Sequence, residues 1–148
     1  MDVSENSGTV KKTETVFFTR TYDEALDLVK EARSYLAGPG QADARAMLAE
    51  ASFVYAAESL RLTTRLTESM AWLLFQRALQ EGEITLDEAQ EEECHLHNLE
   101  VCLPEEPTCD PETLPEGLQS LLERSEQLFR RLVRLDTQGI ETYWRTRH

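Results

Sequence analysis

From Tyr55 to Glu81 the chain runs without a glycine or a proline, and the middle of this stretch, Met70-Ala-Trp-Leu-Leu-Phe75, is apolar on nearly every side. A helix that is apolar all round must be buried from several directions. The stretch is therefore predicted to be the central helix of a bundle, with other helices or a second copy of the chain packed around it. The remaining segments are read against that requirement.

Helical periodicity is the dominant signal on both sides of it. Tyr22, Ala25, Leu26, Val29, Ala32 and Leu36 recur at spacings of three and four, an amphipathic helix. Thr21-Tyr-Asp-Glu24 fits a capping box at its start, although a start near Phe17 is also open. Gly38-Pro39-Gly40 ends it. The central helix is expected from about Ala42 to Gln80 or Glu81, on the order of 60 Å long. Gly82 is its C′ residue. Thr85-Leu-Asp-Glu88 is a second capping box, opening a short acidic helix to about Cys94. Pro104, Pro107 and Pro111 mark a loop from Asn98 to Leu114. A last amphipathic helix carries Leu118, Leu121, Leu122, Ser125, Leu128, Phe129, Leu132 and Leu135, ends near Asp136, and is broken at Gly139. No alternating strand pattern competes. The expected fold is an all-α three-helix bundle with a long central helix, a short extra acidic helix and a proline-containing loop before the last helix. Residues 1–14 are expected to be disordered, 15–136 to form one domain, and 137–148 to be a tail.

The central helix has more apolar surface than one neighbour can cover. One stripe is Ala49, Phe53, Ala56, Leu60, Thr63, Thr67, Met70 and Leu74; another is Tyr55, Leu62, Leu66 and Leu73; a third is Trp72, Phe75 and Leu79. Two intrachain helices can cover two stripes. The Trp72/Phe75/Leu79 stripe is left for self-association or for the end of the bundle core. Glu58, Arg61, Arg65, Glu68 and Arg77 interrupt this surface. Glu58–Arg61 and Arg65–Glu68 read as i,i+3 pairs at the bundle rim, or the arginines pair across a partner surface. Arg61, Arg65, Trp72, Phe75, Arg77 and Leu79 are accordingly the candidate protein-interaction residues.

Charge is concentrated. The net charge is −13, yet Glu81–Glu126 alone holds fifteen acids against Arg124, a local −14. Such a surface repels phosphate and disfavours nucleic acid. It is either a solubilising face or a docking surface for a basic partner. Met70–Phe75 is far shorter than the roughly 20 apolar residues of a membrane span. The polar start, Met1–Gly8, lacks the apolar run of a signal peptide. A cytoplasmic protein with free thiols and no membrane contact is expected.

Catalytic and metal chemistry is poorly represented. Cys94, His95, His97, Cys102 and Cys109 fall within sixteen residues. They could seat zinc in a small metal-binding regulatory domain, but their spacing matches no compact finger. The surrounding acids weaken any cysteine nucleophile. Glu88–Glu93 lacks the spaced ligands and glycine of a calcium loop. The glycines form no phosphate-cradling motif. No catalytic residue, metal ligand or cofactor site is assigned, and a non-enzymatic role is expected.

Tyr55-Ala-Ala-Glu-Ser-Leu-Arg-Leu-Thr-Thr-Arg-Leu66, Ala71-Trp-Leu-Leu74, Gln76-Arg-Ala78 and Gly82-Glu-Ile-Thr85 resemble the signature of the bacterial RcdA family, regulators of CtrA degradation. Leu121–Arg124, Ser125 and Arg134-Leu-Asp136 are similar to that family's last helix. The resemblance spans Phe17 to Asp136. It implies a homodimeric three-helix bundle acting as a protease adaptor, which helps deliver cell-cycle proteins to the ClpXP protease. It further implies two co-adaptors, a response-regulator-type protein and a cyclic-di-GMP-binding protein.

Overall fold

A computed structural model describes the backbone of residues 3–147 and the side chains of residues 16–147. Three long helices carry the fold: α1 (Val3–Ala37), α3 (Ala49–Gln80) and α5 (Glu116–Arg147). Two short ones, α2 (Pro39–Arg45) and α4 (Leu99–Cys102), sit in the connections. The described residues contain no strand, and the molecule is an all-α three-helix bundle. No helix among them is long and apolar enough to cross a membrane.

The core forms where the inward stripes meet. α1 contributes Ala25, Leu28 and Ala32; α3 contributes Leu62, Leu66, Trp72 and Leu73; α5 contributes Leu118, Leu121, Leu128, Phe129 and Leu132. Each large aliphatic side chain buried this way stabilises the fold by about 1.5–3 kcal/mol. On the outer side two forked ion pairs join α1 to α5. Arg124 donates to both oxygens of Glu31 at 2.7 and 2.6 Å, and Arg131 to Glu24 at 2.8 and 3.5 Å.

Several boundaries differ from the sequence expectation. Thr21 does not cap α1; it lies inside the helix, buried, and its hydroxyl donates back to the Phe17 carbonyl at 2.9 Å. The side chains of residues 1–14, where disorder is expected, lie outside the described set; the backbone from Val3 is helical. The single helix expected from Ala42 is interrupted. α2 ends at Arg45, Leu48 takes an extended conformation (φ −69°, ψ 159°), and α3 starts at Ala49. The kink lets Ala44 and Met47 pack against the core. Gly82 does cap α3. It adopts φ 75°, and the Gly82 and Glu83 amides donate to the Leu79 and Ala78 carbonyls in a Schellman arrangement.

The second capping box forms as expected. The Thr85 amide donates to Glu88 Oε1, and the Glu88 amide donates to Thr85 Oγ1, both at 3.1 Å. It opens two 3₁₀ turns, Glu88–Gln90 and Glu92–Cys94, in place of the expected acidic α-helix. The proline-containing connection is largely loop but holds α4. The largest departure is at the end: α5 continues through Gly139 to Arg147. A glycine within a helix costs only about 0.5–1 kcal/mol. Here the last turns are held by Tyr143, whose hydroxyl donates to Asp87 at 2.7 Å, and by Arg147, 3.1 Å from the same carboxylate.

Candidate functional site

The polar residues of α3 point toward the connection that precedes α5. Arg65 is buried, with Nε donating to the Cys102 carbonyl at 2.6 Å and Nη1 to the Leu122 carbonyl at 3.0 Å. Its Nη2 is 3.9 Å from Glu126. Burial lowers the Arg65 pKa, and Glu126 opposes that shift. Arg61 pairs with Glu58 at 3.3 Å, as its spacing predicts, and also donates to the Val101 carbonyl at 3.0 Å. The expected Arg65–Glu68 pair does not form. Glu68 instead accepts from the His97 amide and from Asn98 Nδ2, at 3.0 and 3.1 Å. Thr108 donates to Glu58 at 2.6 Å. These α3 charges supply partners for backbone groups of the connection, the Val101 and Cys102 carbonyls and the His97 amide. Beside them lies a cavity of about 550 Å³ reaching from Arg61 and Arg65 to Pro107 and Arg130.

The third stripe closes the end of the core. Trp72 is buried, its ring centroid 6.0 Å from that of Phe18. Phe75 and Leu79 are half-buried. Trp72 and Leu79 line a cleft of about 450 Å³ between the ends of α3 and α5, with Gln76, Leu86, His95, Gly139 and Ile140 also on its walls. Arg77 is exposed, pairs with Glu81 at 3.2 Å, and lies 5.7 Å from the Tyr22 ring centroid. The first stripe is the one left uncovered: Phe53 is 76% exposed, Leu60 69% and Leu74 49%.

The cysteines and histidines do not converge. Among the described residues no group of three or more His, Cys, Asp or Glu is placed to hold a metal ion. Cys94 and Cys102 are buried and Cys109 half-buried. Burial raises all three thiol pKa values, Cys102 to about 11, and neighbouring carboxylates add to the rise. His95 bridges to α5, with Nδ1 2.8 Å from Asp136 and Nε2 3.0 Å from the Gln90 carbonyl. Asp136 also accepts from the Leu96 amide at 3.2 Å. This clasp joins residues 41 apart, and no local pattern announces it.

Residues 9–146 match the family described as "Protein of unknown function (DUF1465)". Among solved structures the chain is similar to RcdA from Caulobacter crescentus CB15. The two are 40% identical, with a TM-score of 0.68 over 83% of this chain and 91% of that one. The chain belongs to the RcdA family. No curated protein matches it. The family match extends through both helix ends that meet at the cleft, and through the buried Arg65 system. In this RcdA-family chain the quoted signature residues of α3 are thus mixed in role. Leu62 and Leu66 build the core, Glu58, Arg61 and Arg65 anchor the connection, and Leu60 faces solvent.

Proposed function

We propose that the chain is a non-enzymatic, cytoplasmic adaptor that helps deliver cell-cycle regulatory proteins to the ClpXP protease by tethering them. Membership of the RcdA family, at 40% identity to RcdA over most of the chain, is the observation that carries this reading. The exposed apolar side chains of α3 and the acidic segment Glu81–Glu126 support it, since both offer surface to a protein partner. The chain works as a homodimer, with a response-regulator-type protein and a cyclic-di-GMP-binding protein as co-adaptors. Of the candidate interaction residues, Arg77 offers an exposed cation, while Trp72 and Leu79 act through the cleft they line. The face for a second copy is the uncovered α3 stripe around Phe53, Leu60 and Leu74 rather than the Trp72 stripe.

Tethering raises effective concentration without altering chemistry. Reconstituted ClpXP should therefore degrade a response-regulator cargo with a several-fold lower KM and little change in kcat when the chain and both co-adaptors are present. An unchanged KM, or a chain that is itself degraded without stimulating cargo turnover, would sink the adaptor reading.

A further inference from the structure

Two features of the cleft between the ends of α3 and α5 contribute nothing to holding this chain together. The first is Trp72 Nε1, a buried side-chain nitrogen with no hydrogen-bond partner among the described residues. A buried donor left unpaired costs about 1–3 kcal/mol. The second is Gly139, inside α5, where glycine is less favourable than alanine by about 0.5–1 kcal/mol. Other glycines of this fold have a packing reason. At Gly40 an added Cβ would land on the Tyr55 hydroxyl, and at Gly117 on the Tyr35 ring. A Cβ added at Gly139 meets no atom within 4 Å. Both Trp72 and Gly139 line the same cavity of about 450 Å³, whose apolar side is made by Leu79, Leu86 and Ile140.

We propose that this cleft is a docking site for a short extended segment of a partner protein, with an apolar side chain seated against Leu79, Leu86 and Ile140 and lysine or arginine on its flanks. The inference deepens the adaptor reading and rests on it for the partner being a protein. The volume falls within the roughly 300–1,000 Å³ of binding pockets. Bare backbone at Gly139 lets the segment lie close against α5. A carbonyl of the segment accepts from Trp72 Nε1, once the half-buried Phe18 or Gln76 side chain on the same wall turns aside. The sign of the flanks follows from charge. Asp136 is engaged by His95 and Asp87 by Arg147, so the acids that set the sign, with no ion-pair partner among the described residues, are Glu88, beside Ala89, and the exposed Glu91, Glu92 and Glu93 further out. The whole segment Glu81–Glu126 has a net charge of −14, so an acidic peptide is repelled.

Gly139→Leu tests this, because it adds bulk at a residue that lines the cleft, where a Cβ meets no atom within 4 Å, and has better helix propensity. It is expected to melt no lower than the unaltered chain. The immobilised full chain is panned against a phage library of random dodecapeptides. Enriched peptides should carry an apolar residue between basic ones and bind the unaltered chain about tenfold more tightly than the Gly139→Leu chain. They should also shift the Trp72 indole N–H resonance, assigned with Trp144→Phe. No enrichment over a blank surface, equal binding to Gly139→Leu, or acidic flanks would overturn the proposal. So would loss of self-association in Gly139→Leu, which assigns the cleft to a second copy. Peptide capture without stimulated proteolysis removes the adaptor reading and leaves the site; stimulated proteolysis that Gly139→Leu leaves unchanged removes the site and keeps the adaptor.

Discussion

Arg65 is a cation with almost no solvent. Its guanidinium reaches the Cys102 carbonyl on one side and the Leu122 carbonyl and Ser125 hydroxyl on the other, while Glu126 balances its charge from a more exposed position. Hydrogen bonds to a charged group are worth about 1.5–3 kcal/mol, and leaving buried acceptors unpaired adds to the loss. Arg65→Leu is therefore expected to destabilise the fold by about 2–4 kcal/mol in urea denaturation. Arg61→Ala, which leaves the buried Glu58 carboxylate with the Thr108 hydroxyl as its remaining partner, should cost about 1–3 kcal/mol. Equal small losses for both would show that the connection is not held by Arg65. From the sequence, Arg61 and Arg65 read as equivalent rim or interface arginines. Only the packed connection separates them, because the hydrogen-bond partners of Arg65 lie 37 to 60 residues away and the long-range partner of Arg61 lies 40 away.

At the scale of elements, the corner between α1 and α3 decides how the bundle closes. Tyr35 is held there, its hydroxyl 3.1 Å from Asp43 of α2, with Tyr55 of α3 and Gly117 of α5 against it. Gly40 is buried at this corner. An added Cβ would collide with the Tyr55 hydroxyl and come within 2.8 Å of the Tyr35 carbonyl, which is backbone and cannot swing away. Gly40→Ala is expected to lower stability by about 1–3 kcal/mol through overpacking, despite the usual helix gain from alanine. A melting temperature that rises would refute this account of the corner. The Gly-Pro-Gly signal correctly placed a break. Nothing in Ala46-Met-Leu48 could mark the second one, since neither glycine nor proline stands there.

The molecule as a whole leaves one helical stripe bare. Phe53, Leu60 and Leu74 run along the exposed side of α3, Leu74 at the edge of a groove shared with Val29 and Leu36 of α1, and Leu48 at its start is 85% exposed. Large contiguous apolar surface on a monomer marks an association site. Leu60→Glu is expected to leave the melting transition of the isolated chain within about 0.5 kcal/mol, since the side chain is mostly in water. It should convert a dimer to a monomer in sedimentation equilibrium. A dimer that survives both Leu60→Glu and Phe53→Glu would move self-association to another face.

The sequence by itself determined the class of fold, the three long helices and the core residues that follow their periodicity. It also carried the family resemblance, because helical spacing and a long ungapped motif are local properties of the chain. It determined the capping box at Thr85 and the Schellman glycine at Gly82 for the same reason. Tertiary structure alone decided which of three apolar stripes is buried, since all three satisfy the same period and only the placement of α1 and α5 covers two of them. It also carried α5 through Gly139, where contacts of Tyr143 and Arg147 with Asp87, 56 and 60 residues away, outweigh a single unfavourable glycine. Long-range contact energy settles such choices, and no local pattern contains it.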